Sequence, residues 1–167
     1  HWIMLALLAA VYGCIELREA FPRGSEPREL LKAWHFSLGL SVFVLVWIRL
    51  LARALWPTPP TVPERSSWQQ QASAWVHAAL YALMIFMPLA GWMLLSAEGK
   101  TVPFFGWILP TLPGIAPEWA DRIEQVHETV GVAGYWLIGL HASAALVHHY
   151  LMRDTTLQRM LPRLTQR

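Results

Sequence analysis

The chain has 167 residues, of which 55% are hydrophobic and 14% are charged, and its formal net charge is +2. Soluble domains usually carry about 25% charged residues, so this composition indicates a membrane protein and excludes a disordered chain. The small net charge argues against nucleic-acid binding, and the single cysteine, Cys14, excludes an internal disulfide.

Four predominantly apolar segments follow one another along the chain, each close to the roughly 20 residues that a transmembrane helix needs. The sequence predicts helices over residues 1–18, 34–55, 72–96 and 123–152. None of these segments alternates apolar and polar residues in the way of a barrel strand. We therefore expect an all-α fold, an integral membrane four-helix bundle in which residues 1–167 form a single domain.

Polar or proline-rich connections separate the four segments. Residues 18–33 predict a polar loop, and residues 56–71 contain four prolines, so this stretch is not helical throughout. Residues 97–122 form the longest connection. It contains two apolar pieces, VPFFGWILP and Trp119, which we expect at the membrane interface or folded over the bundle.

The positions of Lys and Arg predict an orientation. The side that holds the 56–71 loop and the C-terminal tail carries seven of the 13 Lys and Arg residues, and the opposite side carries six. By the positive-inside rule, we expect this loop and both termini in the cytoplasm. The first segment begins at His1 without an initiator methionine, so we expect a short native stretch to precede it.

The histidines fall at two depths of the expected bundle. His127 and His141 lie 14 residues apart on the fourth helix, nearly four turns, so both leave the same face roughly 21 Å apart along the axis. His35 lies at the depth of His127, and His1 and His77 lie near the depth of His141. This layering predicts two haems stacked across the membrane, each between two imidazoles, and leaves both His1 and His77 open as partners of His141.

Other residues favour the same interpretation. Gly39 and Gly131 each lie one turn from a histidine and give a porphyrin room. Arg49 and Arg53 lie near the inner layer, where they are candidates to pair with haem propionates. Ligation of haem iron by two imidazoles leaves no open coordination position, which favours electron transfer over O2 binding.

Each of these residues also has a simpler explanation. A histidine at a helix end is more often an interfacial residue than a ligand, and Arg49 and Arg53 are explained by snorkelling to the interface. A proton pathway would use Glu128 beside His127. A separation of 14 residues does not bring two ligands to one zinc ion. A small transporter, without haem, is a further alternative.

Several motifs together point to one family. They are the HW opening at His1, FPR at 21–23, the pattern H-x-S-x-G-x-S at 35–41, WPTPP at 56–60 and HETVGVAGYWLIGLHASAALVHHY at 127–150. With these motifs the chain resembles, over essentially its whole length, the bacterial cytochrome b561 family. Members of that family are four-helix di-haem proteins of the inner membrane that are linked to quinone.

The resemblance implies a specific set of ligands. It assigns His1 with His141 to an inner haem b and His35 with His127 to an outer haem b. A relative in the family oxidises superoxide at the outer haem and passes the electron to ubiquinone near the inner one. Its quinone site corresponds to the end of the fourth helix, here His148, and His77 would then lie on the quinone side.

The resemblance therefore implies a superoxide:quinone oxidoreductase with two haem b groups and ubiquinone as cofactors. Its partners would be membrane lipid, quinone, and either superoxide or an electron-donor protein. The alternative is a cytochrome b electron-transfer or anchor subunit that serves a partner oxidoreductase. Such a subunit would show no superoxide activity alone and would co-purify with its partner.

Overall fold

A computed structural model of the protein describes residues 1–56 and 66–160. Within these residues, four α-helices and one short hairpin account for the regular structure apart from short 3-10 turns. They are α1 (Trp2–Leu17), α2 (Glu26–Leu55), α3 (Ser67–Ala97), β1 (Val102–Phe104), β2 (Trp107–Leu109) and α4 (Ala120–Tyr150). Most of the predicted proline-rich loop, residues 57–65, and the basic tail, 161–167, lie outside the described residues.

Three helices in the described part of the chain are long and apolar enough to cross a membrane by length and composition. These are α2, α3 and the stretch Pro117–Tyr150 that contains α4. Helix α1 has 16 residues, which at 1.5 Å per residue is about 24 Å, somewhat less than the hydrocarbon core. Helix α1 lies within the predicted segment 1–18 and forms the shortest of the four helices of the bundle.

Helix α2 begins at Glu26 rather than at Trp34, so the predicted polar loop over 18–33 is wrong in its second half. The physical reasons are a proline in the first turn and the acidic Glu26 and Glu29 beside the positive end of the helix dipole. These signals begin α2 in the polar segment that precedes its apolar run.

Helices α3 and α4 also begin before their predicted starts at residues 72 and 123. The side chain of Gln69 accepts a hydrogen bond at 3.0 Å from the backbone N–H of Ser66, the capping arrangement that opens α3. Helix α4 follows directly from the 3-10 turn Pro117–Trp119. In both cases the first turn of the helix is polar, so the start of the apolar run does not mark the start of the helix.

Consecutive helices pack side by side, α1 on α2, α2 on α3 and α3 on α4. One apolar cluster between the first three helices contains Met4, Val42, Val46, Leu80 and Met84. Over the described residues, the Cα atoms of α4 stay more than 8 Å from those of α1 and of α2. Side chains, and not close backbone contact, therefore bridge α4 to the first two helices.

The long connection between α3 and α4 folds over one end of the bundle. Strands β1 and β2 pair in antiparallel fashion across a turn in which Phe105 and Gly106 have positive φ angles of 46° and 87°, as a two-residue hairpin requires. The hydroxyl of Ser37 on α2 accepts a hydrogen bond from the N–H of Phe105 at 3.2 Å. Val102, with 1% exposure, fills the space beneath.

Candidate functional site

Five of the seven histidines gather in two layers at opposite ends of the bundle. In the first, the ring centroids of His35 and His127 lie 6.3 Å apart. In the second, the ring of His141 lies 6.1 Å from that of His1 and 5.2 Å from that of His77. We call these groups the His35 layer and the His141 layer.

Two ring pairs have the spacing that one metal ion between two imidazoles requires. Imidazole nitrogens that bind opposite sides of a metal at roughly 2.0–2.1 Å place their ring centroids about 6 Å apart. The pair His35 with His127 and the pair His1 with His141 meet this distance, whereas His77 is closer to His141. Both matching pairs span helices whose backbones stay apart, α2 with α4 and the start of α1 with α4.

The ring of His35 is oriented by its second nitrogen. Nδ1 lies 2.9 Å from the carbonyl oxygen of Val11, and because a carbonyl only accepts, Nδ1 carries the proton and Nε2 keeps a free lone pair. Histidines that bind metals usually have this arrangement. On the other side, Nδ1 of His127 is buried and has no hydrogen-bond partner among the described residues.

A cavity of about 770 Å³ lies beside the His35 layer and is lined by all four helices. Gly39 borders it, and a Cβ added there would meet no atom within 4 Å. The volume lies within the range of small-molecule sites, about 300–1,000 Å³. Since His35 and His127 both line the cavity and Nδ1 of His127 is buried without a partner among the described residues, the residues of the His35 layer fit a haem.

Charged side chains line the mouth of this cavity, and acids outnumber bases among the lining residues. The acids are Glu16, Glu19, Glu29, Glu98, Glu124 and Glu128, and the bases are Arg18, Lys32 and Lys100. Each base is paired with an acid at 2.8–2.9 Å. A hydrogen bond from Arg28 holds the pKa of the Glu19 carboxyl below its usual value, so Glu19 remains ionised at neutral pH.

Two tyrosines that the sequence analysis missed connect α1 to α4 beside the cavity. The hydroxyl of Tyr12 donates to the carbonyl of Gly131 at 2.9 Å, and the hydroxyl of Tyr135 donates to Glu16 at 2.6 Å. A Cβ added at Gly134 would collide with the Tyr12 hydroxyl. A tyrosine within an apolar helix gives no sequence signal of such a contact.

The two arginines predicted at the inner layer lie on the same stretch of α2 but contact different groups. Arg49 extends a guanidinium nitrogen to 3.5 Å from Nδ1 of His1, which places it at the His141 layer. The guanidinium of Arg53 lies 5.9 Å from the ring centroid of Tyr81. Pairing of either arginine with a haem propionate stays a prediction.

His148 and His77 have separate polar partners at the His141 end of the bundle. Nδ1 of His148 lies 2.7 Å from a carboxylate oxygen of Asp154, and Nδ1 of His77 lies 3.3 Å from the hydroxyl of Ser73. Asp154 was missed by the sequence analysis, because it follows the end of α4 in a polar stretch that carries no motif.

Comparison with known families decides the assignment. The family model described as prokaryotic cytochrome b561 matches residues 1–163. The chain belongs to the prokaryotic cytochrome b561 family. The predicted resemblance is thereby confirmed, together with a helical membrane bundle that transfers electrons and binds haem b. A chain of this family with several apolar helices is a multi-pass protein of the inner membrane.

Two relatives of this cytochrome b561 chain match nearly all of it, and a third matches about three quarters. Cytochrome b561 homolog 1 of Escherichia coli K12 is 38% identical over 163 residues, 98% of this chain and 93% of the relative. The probable superoxide oxidase CybB of Yersinia pestis is 37% identical over 163 residues, 98% of this chain and 92% of the relative. Cytochrome b561 homolog 2 of Escherichia coli K12 is 32% identical over 128 residues, 76% and 68% of the two chains.

Proposed function

We propose that the chain moves single electrons across the membrane from superoxide to ubiquinone. One haem b would be held by His35 and His127, and a second by His1 and His141. The observation that carries this proposal is the pair of ring distances, 6.3 Å and 6.1 Å, each across a gap between helices. Haem b, when bound by two imidazoles, supplies a one-electron carrier without an open coordination position.

The protein side of the reaction consists of orienting ligands and supplying protons. Val11 fixes the ring of His35 with Nε2 free, and Arg49 contributes positive charge beside His1. His77 and His148 are assigned to the quinone side, where protons are needed. The balanced reaction converts two superoxide ions, one ubiquinone and two protons into two O2 and one ubiquinol.

The electron donor and the orientation of the bundle in the membrane rest on separate observations. The similarity to a probable superoxide oxidase supports superoxide as the donor. We place the His35 layer toward the periplasm and the His141 layer toward the cytoplasm, with both termini cytoplasmic, because Lys and Arg are slightly more numerous on that side.

A direct test uses the purified haem-loaded protein in detergent. Superoxide generated enzymatically should reduce the haem, which is followed by its visible absorbance spectrum. Ubiquinone-1 should then reoxidise the haem, with one quinol formed for every two superoxide ions consumed. Catalase is present throughout, and superoxide dismutase is the control that should abolish the reaction. If superoxide leaves the haem oxidised while a chemical reductant reduces it, superoxide is not the donor.

The acidic mouth of the cavity favours a second candidate, a cytochrome b subunit fed by a partner oxidoreductase. Six acids against three bases repel an anion such as superoxide and attract a donor with a basic surface. Salt separates the two candidates because it screens charge. Added salt should accelerate electron entry from superoxide and slow entry from a basic donor protein.

A further inference from the structure

A buried carboxylate outside the histidine layers remains unexplained by haem binding. Asp154 has 4% exposure, although it lies beyond the end of α4 in a polar segment. One carboxylate oxygen lies 2.7 Å from Nδ1 of His148, and the other accepts the backbone N–H of Thr156 at 2.8 Å. Charged groups are rarely buried so deeply unless they are paired.

The backbone reverses direction just after α4, which brings the carboxylate of Asp154 against the end of that helix. Arg153 has a φ of +53°, a left-handed conformation that costs a non-glycine residue energy. The N–H of Asp154 then donates to the carbonyl of His148 at 3.0 Å. Farther along, the indole N–H of Trp2 donates to the carbonyl of Met160 at 2.9 Å and fixes the segment against α1.

The geometry sets the tautomer of His148. An ionised carboxylate only accepts, so Nδ1 must carry the proton, and the neutral ring keeps its lone pair on Nε2. When Nε2 takes up a proton from water, the ring becomes an imidazolium that the carboxylate stabilises. A ring held in this way can give that Nε2 proton to an acceptor and return to the same tautomer.

We propose that Asp154 is a positioning residue that holds His148 ready to pass a proton from Nε2 to a carbonyl oxygen of the reduced quinone. The proposal rests on the proposed function, since it needs a quinone that accepts electrons at the His141 end. For each quinone, two electrons come from two superoxide ions. Each proton delivered by this route enters from water at Nε2 of His148 and leaves to a quinone oxygen, while Asp154 stays ionised.

The variant Asp154→Asn separates positioning from packing. Its amide oxygen still accepts from Thr156, but its NH2 group faces Nδ1 of His148, which must then accept, so the proton moves to Nε2. In a serine protease with a Ser-His-Asp triad, replacing the Asp by Asn lowers the catalytic rate about 10⁴-fold because the histidine then holds its proton on the wrong nitrogen. We expect haem reoxidation by ubiquinone-1 to slow at least about 10-fold.

The experiment has a kinetic and a spectroscopic arm on the haem-loaded full chain. Stopped-flow absorbance follows anaerobic reoxidation of the reduced haem by ubiquinone-1 in the wild type, Asp154→Asn, Asp154→Glu and His148→Gln. The matched control is Asp121→Asn, which makes the same change at an exposed position in the first turn of α4. Asp154→Glu should restore a rate nearer that of the wild type, because it keeps a carboxylate.

The spectroscopic arm reads the tautomer without quinone. In protein labelled with ¹⁵N-histidine, the His148 signal is assigned by its loss in His148→Gln. We expect protonated Nδ1 in the wild type and protonated Nε2 in Asp154→Asn. A wild-type His148 protonated on Nε2 overturns the proposal even if the asparagine variant fails to fold.

The kinetic outcomes also distinguish this proposal from the function on which it rests. If His148→Gln slows reoxidation but Asp154→Asn does not, Asp154 has no positioning role. If neither variant slows it, His148 is not the proton donor, and electron transfer to quinone stands. If the wild type itself does not react with ubiquinone-1, both the proposed acceptor and this inference fail.

Discussion

The two histidine layers share one helix, α4, yet their surroundings differ. His127 and its partner face a cavity of about 770 Å³ with a charged mouth. His141 lies among the rings of His1 and His77, near the apolar cluster that contains Met4 and Val46. The comparison teaches that similar pairs of imidazoles do not determine a role by themselves, and that the proposed entry and exit sites differ in room, in charge and in nearby polar groups.

The largest expected effect comes from removing a ligand of one layer. If each layer holds one haem, His127→Ala and His141→Ala should each lower the haem content from two to one per chain, because each variant removes one of the two imidazoles that would hold that haem. The pyridine haemochrome assay measures this content, and the reduced-minus-oxidised spectrum identifies which haem is lost.

The variant His77→Ala is the matched control for the His141 layer. Its ring is closer to His141 than the ligand spacing requires, so both haems should remain. Loss of a haem in this variant together with retention in His1→Ala would exchange the roles of the two histidines.

A second change fills the cavity of the His35 layer and leaves the His141 layer unchanged, so it tests the two layers separately. Gly39→Leu places a side chain where a Cβ meets no protein atom within 4 Å, in the space assigned to the haem. We expect the haem of the His35 layer to fall well below full occupancy while that of the His141 layer remains. Gly13→Leu is the control, since Gly13 is equally uncrowded and does not line the cavity.

A third change tests the contact between α1 and α4 that lies between the layers. Gly134→Ala drives a methyl group into the Tyr12 hydroxyl, and overpacking of this kind costs about 1–3 kcal/mol of unfolding free energy. Thermal unfolding in detergent measures the loss. Gly139→Ala should have little effect because no atom lies within 4 Å, and the double change Tyr12→Phe with Gly134→Ala should recover stability.

The smallest effect concerns the pH dependence at the His141 end. Burial alone would raise the pKa of Asp154, but hydrogen bonds from Thr156 and His148 outweigh it and lower the pKa from 3.8 to about 2. The folded-state pKa is depressed, so the carboxylate contributes stability above about pH 4 that is lost as the pH falls toward 2. Loss of its charged hydrogen bonds in Asp154→Asn should cost about 1–3 kcal/mol at pH 7.

The corresponding measurement is chemical unfolding of the wild type and Asp154→Asn at pH 7 and pH 3. The difference between the two proteins should shrink at pH 3, whereas Asp121→Asn should lose at pH 7 only its interaction with the helix dipole, about 0.3–1 kcal/mol. A difference that grows on acidification would contradict the assigned sign.

Much of the bundle was predictable because membrane helices appear in a sequence as long runs of apolar residues. The two layers were predictable as well, since 14 residues on one helix fix both the face and the depth of His127 and His141. Helix starts were not, because Glu26 and Ser67 belong to polar turns that precede the apolar runs. The bond between His148 and Asp154 depends on a chain reversal at Arg153 that no periodic pattern records.

The gap between α1 and α4 has a consequence for assembly. Each helix packs on the next in the chain, and the first and last helices are joined by side-chain hydrogen bonds. These run from Tyr12 to Gly131 and from Tyr135 to Glu16, and a further one runs from Trp2 to Met160, beyond the end of α4. Besides these hydrogen bonds, Leu137 and Ile138 of α4 pack against the apolar cluster that contains Val42 and Leu80. Since side chains alone join α4 to α1 among the described residues, we expect this edge to separate more readily than the others when a flat prosthetic group enters the bundle.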